Sequence, residues 1–179
     1  MSAYSKSKTI SITVILSAIG GVASVPIGYA GRILSTVPIL SLFLSQTLSG
    51  FHVFWLVLAA ILLKKPGTGM AVGVLKGLVE LSLSSHLGLL TLLISLIEGF
   101  FVDVVLLILG GNSAFYAYLA GGLSSASNVI VLRVFLLTTL PIIFVVVMYV
   151  VSFVSGLVFG GYLSSQSIRV LSVKVRGSG

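Results

Sequence analysis

Glu80, Glu98 and Asp103 are the only acidic residues in this chain of 179, and each interrupts an apolar stretch of membrane length. An ionisable group at bilayer depth costs roughly 2.5–3.5 kcal/mol on insertion scales, so it normally faces a cavity, a partner or a cargo. A carboxylate held there can pair with a cation or accept charge-assisted hydrogen bonds, about twice as strong as neutral ones. Other polar and aromatic groups recur in the same stretches: Gln46, His52, Trp55, the run Ser124-Ser125-Ala126-Ser127-Asn128, and Tyr149. Gln46 and Asn128 offer amide donors and acceptors, and an aromatic face adds about 0.5–2 kcal/mol of cation–π attraction. Carboxylate, amide and aromatic groups around an apolar hollow are the chemistry of a small-molecule site.

Each residue also has a structural alternative. Lys76 stands four residues before Glu80, the spacing of an intrahelical ion pair, and matches Glu98 in depth. Asp103, lying deeper, reads as a residue that ties helices or caps a polar pocket. Trp55 suits an interfacial aromatic belt as well as a stacking platform. Arg133 reads as snorkelling to headgroups, and His86 as a turn residue. Catalytic arrangements are missing: the chain has no H-E-x-x-H, no G-x-S-x-G and no phosphate-binding loop. It has no cysteine and two well-separated histidines. No enzyme activity, resident metal or cofactor is expected.

The elements that position these groups follow from composition. Hydrophobic residues are 58% of the chain and charged ones 7%, against about 25% charged in a soluble domain. The chain therefore reads as an all-α integral membrane protein. The start, Lys6 and Lys8 ahead of Ile10–Val25, resembles a signal peptide, but equally apolar segments follow, so this stretch is expected to remain as a helix. Spans of about 20 residues are expected near Thr9–Ile27, Gly50–Leu63, Thr68–Ser84, Leu87–Leu109, Phe115–Leu137 and Pro141–Leu163. Arg32–Ser49 is apolar but short and contains Pro38. It is expected to form an outer loop with a re-entrant or interfacial helix. That choice places Lys6, Lys8, Lys64, Lys65, Arg169, Lys174 and Arg176 on one side, as cytoplasmic loops require. The expectation is one membrane domain over 1–179. Residues 1–8 are cytoplasmic, a six-helix bundle covers 9–163 with an outer loop over 28–49, and 164–179 form a cytoplasmic tail. At about 1.5 Å per residue, Glu80 then lies ~6 Å, Asn128 ~14 Å and Glu98 ~16 Å below the outer surface.

Several of these residues carry a resemblance. Lys65-Pro66-Gly67, Gly77-Leu78-Val79-Glu80, Gly88-Leu89-Leu90, and Glu98-Gly99 with Asp103 resemble the signature of YkoE-type substrate-binding (S) components of energy-coupling-factor (ECF) vitamin transporters. Ala120–Ser125 and Ser155-Gly156-Leu157 fit the same pattern, which covers most of the chain from Gly50 onward. Some positions depart from it: Glu98 stands where the family has glutamine, Asp103 shortens a later glutamate, and Gly73, His52 and Gln46 replace an acid, an aromatic and an acidic loop residue. The resemblance implies a six-helix S-component with both termini cytoplasmic, in the plasma membrane of a prokaryote. It further implies capture of thiamine or hydroxymethylpyrimidine and partnership with a transmembrane coupling subunit and two ATPases. Glu80, Glu98, Asn128, Trp55, His52, Gln46 and Tyr149 are the expected ligand residues. Ser17, Gly20, Gly21 and Ser24 form a small-residue stripe expected to dock the coupling subunit. Nickel and cobalt members of the class are expected to begin Met-His, whereas this chain begins Met1-Ser2. The competing expectation is a proton-coupled transporter or channel relaying through Glu80, Glu98 and Asp103.

Overall fold

The computed structural model describes residues 3–33, 38–83, 87–110 and 114–177, all of them helical or in short connections; His86 lies outside them. The helices are α1 (Ala3–Ile33), α2 (Pro38–Leu63), α3 (Thr68–Ser82), α4 (Leu89–Leu109), α5 (Ala114–Phe135) and α6 (Ile142–Ser155). A π-helical segment, Gly156–Tyr162, continues α6 directly into α7 (Leu163–Gly177). Counting that last rod once gives six helical segments among the described residues, five of them long and apolar enough to cross a membrane. The sixth, α3, has 15 residues.

The expected loop over 28–49 is corrected. α1 continues to Ile33, and Pro38–Leu63 is one helix of 26 residues. Pro38 takes the first helical position, where its missing N–H costs nothing. The polar residues that suggested a loop are absorbed by the helix itself. Thr47 Oγ1 donates to the Phe43 carbonyl at 3.0 Å, and Ser49 Oγ to the Gln46 carbonyl at 2.6 Å. The expected tail after Leu163 is likewise helical to Gly177.

Cross-helix contacts set the register. Thr9 meets Lys65 and Gly20 meets Trp55, so α1 and α2 run antiparallel. Gly69 packs on Gly99 and Gly73 on Ser95, so α3 and α4 are antiparallel. Gly121 faces Gly156, and Ser125 bonds Ser152, which makes α5 and α6 antiparallel. α2 is the central rod and touches every other helix. Its buried face, Val53, Leu56, Val57, Ala59 and Ala60, joins Val72, Val102, Val105, Tyr116 and Ala120 in the core. The outward faces stay apolar, as with Ile10, Val14 and Ile15 on α1 and Ile142, Val146 and Val150 on α6. Lipid offers little hydrophobic drive between helices, so close backbone approach and interhelical hydrogen bonds hold such a bundle.

The α5–α6 crossing depends most on small residues. A Cβ on Gly121 would strike the backbone of Gly156, Gly160 and Gly161, and one on Gly156 would strike Gly121. The π-helical turn places these glycines on one side, a local widening common at packing and functional sites. Gly121→Val should therefore cost at least the 1–3 kcal/mol typical of overpacking. Thermal unfolding in detergent should show a lowered midpoint; an unchanged midpoint would rule out the backbone contact as a constraint.

Candidate functional site

The polar groups meet where α2, α3, α4 and α5 come together. Lys76 and Glu80 lie one turn apart on α3, and Lys76 Nζ sits 2.6 Å from Glu80 Oε1. Both are buried, Lys76 completely. Ser95 of α4 donates to Glu80 Oε2 at 3.4 Å and accepts from Lys76 Nζ at 3.4 Å. His52 Nδ1 of α2 lies 3.5 Å from Glu80 Oε1. The i,i+4 pair anticipated from spacing therefore exists, and Glu80 is compensated by residues of the chain itself.

Glu98 is different. It lies one turn beyond Ser95 on α4 and is 1% exposed. Neither carboxyl oxygen has a hydrogen-bond partner among the described residues. Its main-chain carbonyl accepts from Ser124 Oγ of α5 at 2.8 Å, which fixes the height of α4 against α5. Lys76 and Glu80 reach its carboxyl only through space. Buried polar groups normally find partners, and leaving one unmet costs roughly 1–3 kcal/mol, more when charged.

Two amides stand near this level. Gln46 Oε1 and Asn128 Oδ1 are buried and also lack a partner among the described residues. A hydroxyl cluster sets their positions. Ser49 Oγ lies 2.7 Å from Ser125 Oγ and 2.9 Å from Ser152 Oγ, and Ser152 donates to the Ser125 carbonyl at 2.7 Å. Gln46 precedes Ser49 by three residues on α2, Asn128 follows Ser125 by three on α5, and Tyr149 precedes Ser152 by three on α6. Ser49, Gly50 and Phe54 of α2 bond Ser152, Ser155 and Ser164 in turn, so α2 runs parallel to α6 and antiparallel to α5, and all three residues stand about one turn from the cluster toward the same end of the bundle. Tyr149 and Asn128 are half-buried. Sequence reasoning missed this cluster, because its members are 76 and 103 positions apart. The one signal was the polar run around Ser124–Asn128, whose serines are indeed buried.

Other expected residues have different duties. The ring of Trp55 covers Gly20 on the α1 side of α2 and meets Phe54 edge-on. Asp103 caps α3 from a neighbouring helix: its two oxygens accept from Gly69 N at 2.9 Å and Met70 N at 2.8 Å. A carboxylate at a helix N-terminus satisfies orphan donors and meets the positive end of the dipole. Asp103→Ala should lower stability by about 1–2 kcal/mol and leave ligand affinity intact. Thermal unfolding and titration together would check this; lost affinity at full stability would contradict it. Arg133 reaches past the end of its own helix. Its guanidinium donates to the Leu137 and Leu140 carbonyls in the turn after α5.

The small-residue stripe of α1 packs within the chain. Ser17 is buried and donates to Thr13 and Val72 carbonyls, and Ser24 is buried and donates to the Gly20 carbonyl. Gly20 lies under Trp55, and Gly21 abuts Val79 and the Lys76 carbonyl. These residues pack α1 onto α2 and α3. Small residues mark a close approach, and here the neighbour is the chain itself.

The result is a bundle of membrane-length helices that holds, among the described residues, several buried acceptors without a partner. A solved structure described as "Crystal structure of an S-component of ECF transporter" has the same fold, with a TM-score of 0.85 at 21% identity. The alignment covers 93% of this chain and 85% of that one. The family model for the permease component of ABC-type cobalt transport systems matches residues 8–127, and the chain belongs to that family. No curated protein sequence matches the chain.

Proposed function

We propose that the chain is the substrate-capture subunit of an ECF-type importer and that it binds thiamine or hydroxymethylpyrimidine at Glu98. The supporting observation is the set of four buried acceptors: both Glu98 oxygens, Gln46 Oε1 and Asn128 Oδ1. A ligand that answers acceptors must bring donors, and one that answers a buried carboxylate is best positively charged. The exocyclic amine of an aminopyrimidine supplies donors, and the thiazolium of thiamine supplies the charge. Tyr149 stands close enough in height to contribute an aromatic face. His52 acts through Glu80, and Trp55 supports the wall between α1 and α2. With both termini cytoplasmic, the Gln46 and Asn128 end opens to the outside of a prokaryotic plasma membrane. The chain carries no nucleotide-binding loop, so a coupling subunit and two ATPases supply the energy, meeting a surface other than the buried α1 stripe.

The family description names cobalt, but the donor set suits an organic cation better. Metal ions such as cobalt are bound by several imidazole or carboxylate ligands together. Here Glu80 is held by an ammonium group, which would repel a metal ion, and Asp103 is committed to capping α3. Among the described residues no three His, Asp or Glu side chains are grouped to hold a metal ion. The same commitments weaken a three-acid proton relay. Calorimetric titration of the purified chain with thiamine, hydroxymethylpyrimidine and Co(II) tests the reading. Heat is expected with the heterocycles; binding of Co(II) alone would overturn it.

A further inference from the structure

Lys76 is a fully buried cation inside a site whose ligand, on the reading above, is itself cationic or donor-rich. Its Nζ lies 2.6 Å from Glu80 Oε1, and Ser95 bridges the pair. Glu98, one turn beyond Ser95 on the neighbouring helix, keeps two oxygens with no hydrogen-bond partner among the described residues. The buried charges therefore sum simply. Lys76 cancels Glu80, Asp103 is taken up by the start of α3, and the one acidic group left to answer a ligand's charge is Glu98. Charges in a medium of low effective dielectric act strongly over a few ångströms, so this sum determines which ligand charge is favoured.

We propose that Lys76 is a specificity-determining residue: by occupying Glu80 it leaves Glu98 as the one carboxyl group free to answer a ligand, and so tunes the site to ligands carrying one positive charge. Glu80 acts through Lys76 as a positioning residue and does not contact the ligand. Without Lys76 the site would hold two negative charges and favour cations more strongly. Without Glu80 the Lys76 ammonium would oppose Glu98 and shift preference toward uncharged ligands. This rests on the capture reading, and its failure can be told apart from failure of that reading.

The probes are thiamine, which carries a fixed positive charge, and hydroxymethylpyrimidine, which shares the aminopyrimidine ring and is uncharged near pH 8. The measured quantity is the ratio of the two dissociation constants, in wild type, Lys76→Met, Glu80→Gln and the double variant. Relative to wild type, Lys76→Met should shift the ratio toward thiamine by about tenfold or more, and Glu80→Gln should shift it toward hydroxymethylpyrimidine by a similar factor. The double variant should return to within about threefold of wild type, because the net charge is restored. A pair with only a structural role would weaken both probes together and leave the ratio fixed, which would overturn the proposal. If Lys76→Met does not fold, Glu80→Gln and the double variant decide the matter by the same ratio. Wild-type protein that binds neither probe would overturn the capture reading and this proposal with it; wild-type binding with an unmoved ratio in the variants would overturn this proposal alone.

Discussion

Glu98→Gln should raise the thermal unfolding midpoint of the ligand-free protein and at the same time weaken thiamine binding by about 10–100-fold. The two effects share one cause. In the ligand-free chain the Glu98 carboxyl is 1% exposed and neither oxygen has a partner among the described residues. Burying such a group costs free energy whichever protonation state it takes. An amide of nearly the same shape still buries polar atoms but removes the charge, whose burial costs far more. With thiamine bound, the carboxylate gains charge-assisted hydrogen bonds worth about 1.5–3 kcal/mol, which the amide largely forfeits. Ligand present at many times its dissociation constant should then stabilise wild type more than the variant. Thermal unfolding with and without thiamine reads both effects. A Glu98→Gln protein that is less stable when empty would show that the carboxylate has a structural partner.

The second large effect is on folding. Lys76→Met should destabilise the chain by about 3–5 kcal/mol, because it strands Glu80 as an uncompensated buried charge. Among the described residues, Ser95 and His52 are left to face it, at 3.4 and 3.5 Å. Lys76→Met with Glu80→Leu should recover most of that loss, since replacing a whole buried ion pair with apolar side chains is often neutral or stabilising. The comparison is an unfolding midpoint for each single variant and for the pair. Equal destabilisation by the single and double variants would mean that the ammonium group matters through packing of its stem, not through its charge.

Local features were readable from spacing. Lys76 and Glu80 are four residues apart, and on any helix they face each other; the ion pair follows. The run from Ser124 to Asn128 was too polar for lipid, and its serines are buried. The structural reading of Asp103 was also sound, although its partners on α3 could not be named from sequence.

Tertiary features were harder to read. Pro38 and the polar residues after it looked like a loop, because chain breakers and helix starters use the same residues; only the backbone shows that α2 begins there. Ser17, Gly20, Gly21 and Ser24 announced that α1 is approached closely, but spacing carries no information about which surface approaches. Trp55 and Gly20 fill each other's space across 35 positions, a match no local pattern shows. The Ser49–Ser125–Ser152 cluster was hidden for the same reason: each serine alone looks like one more small residue in a membrane helix.

A structure of the chain with thiamine bound tests the central claim most directly. The account predicts a nitrogen of the ligand within about 3 Å of a Glu98 carboxyl oxygen, with Gln46 or Asn128 accepting a second hydrogen bond and Lys76 still on Glu80. Thiamine seated elsewhere, with the Glu98 oxygens still untouched, would contradict it.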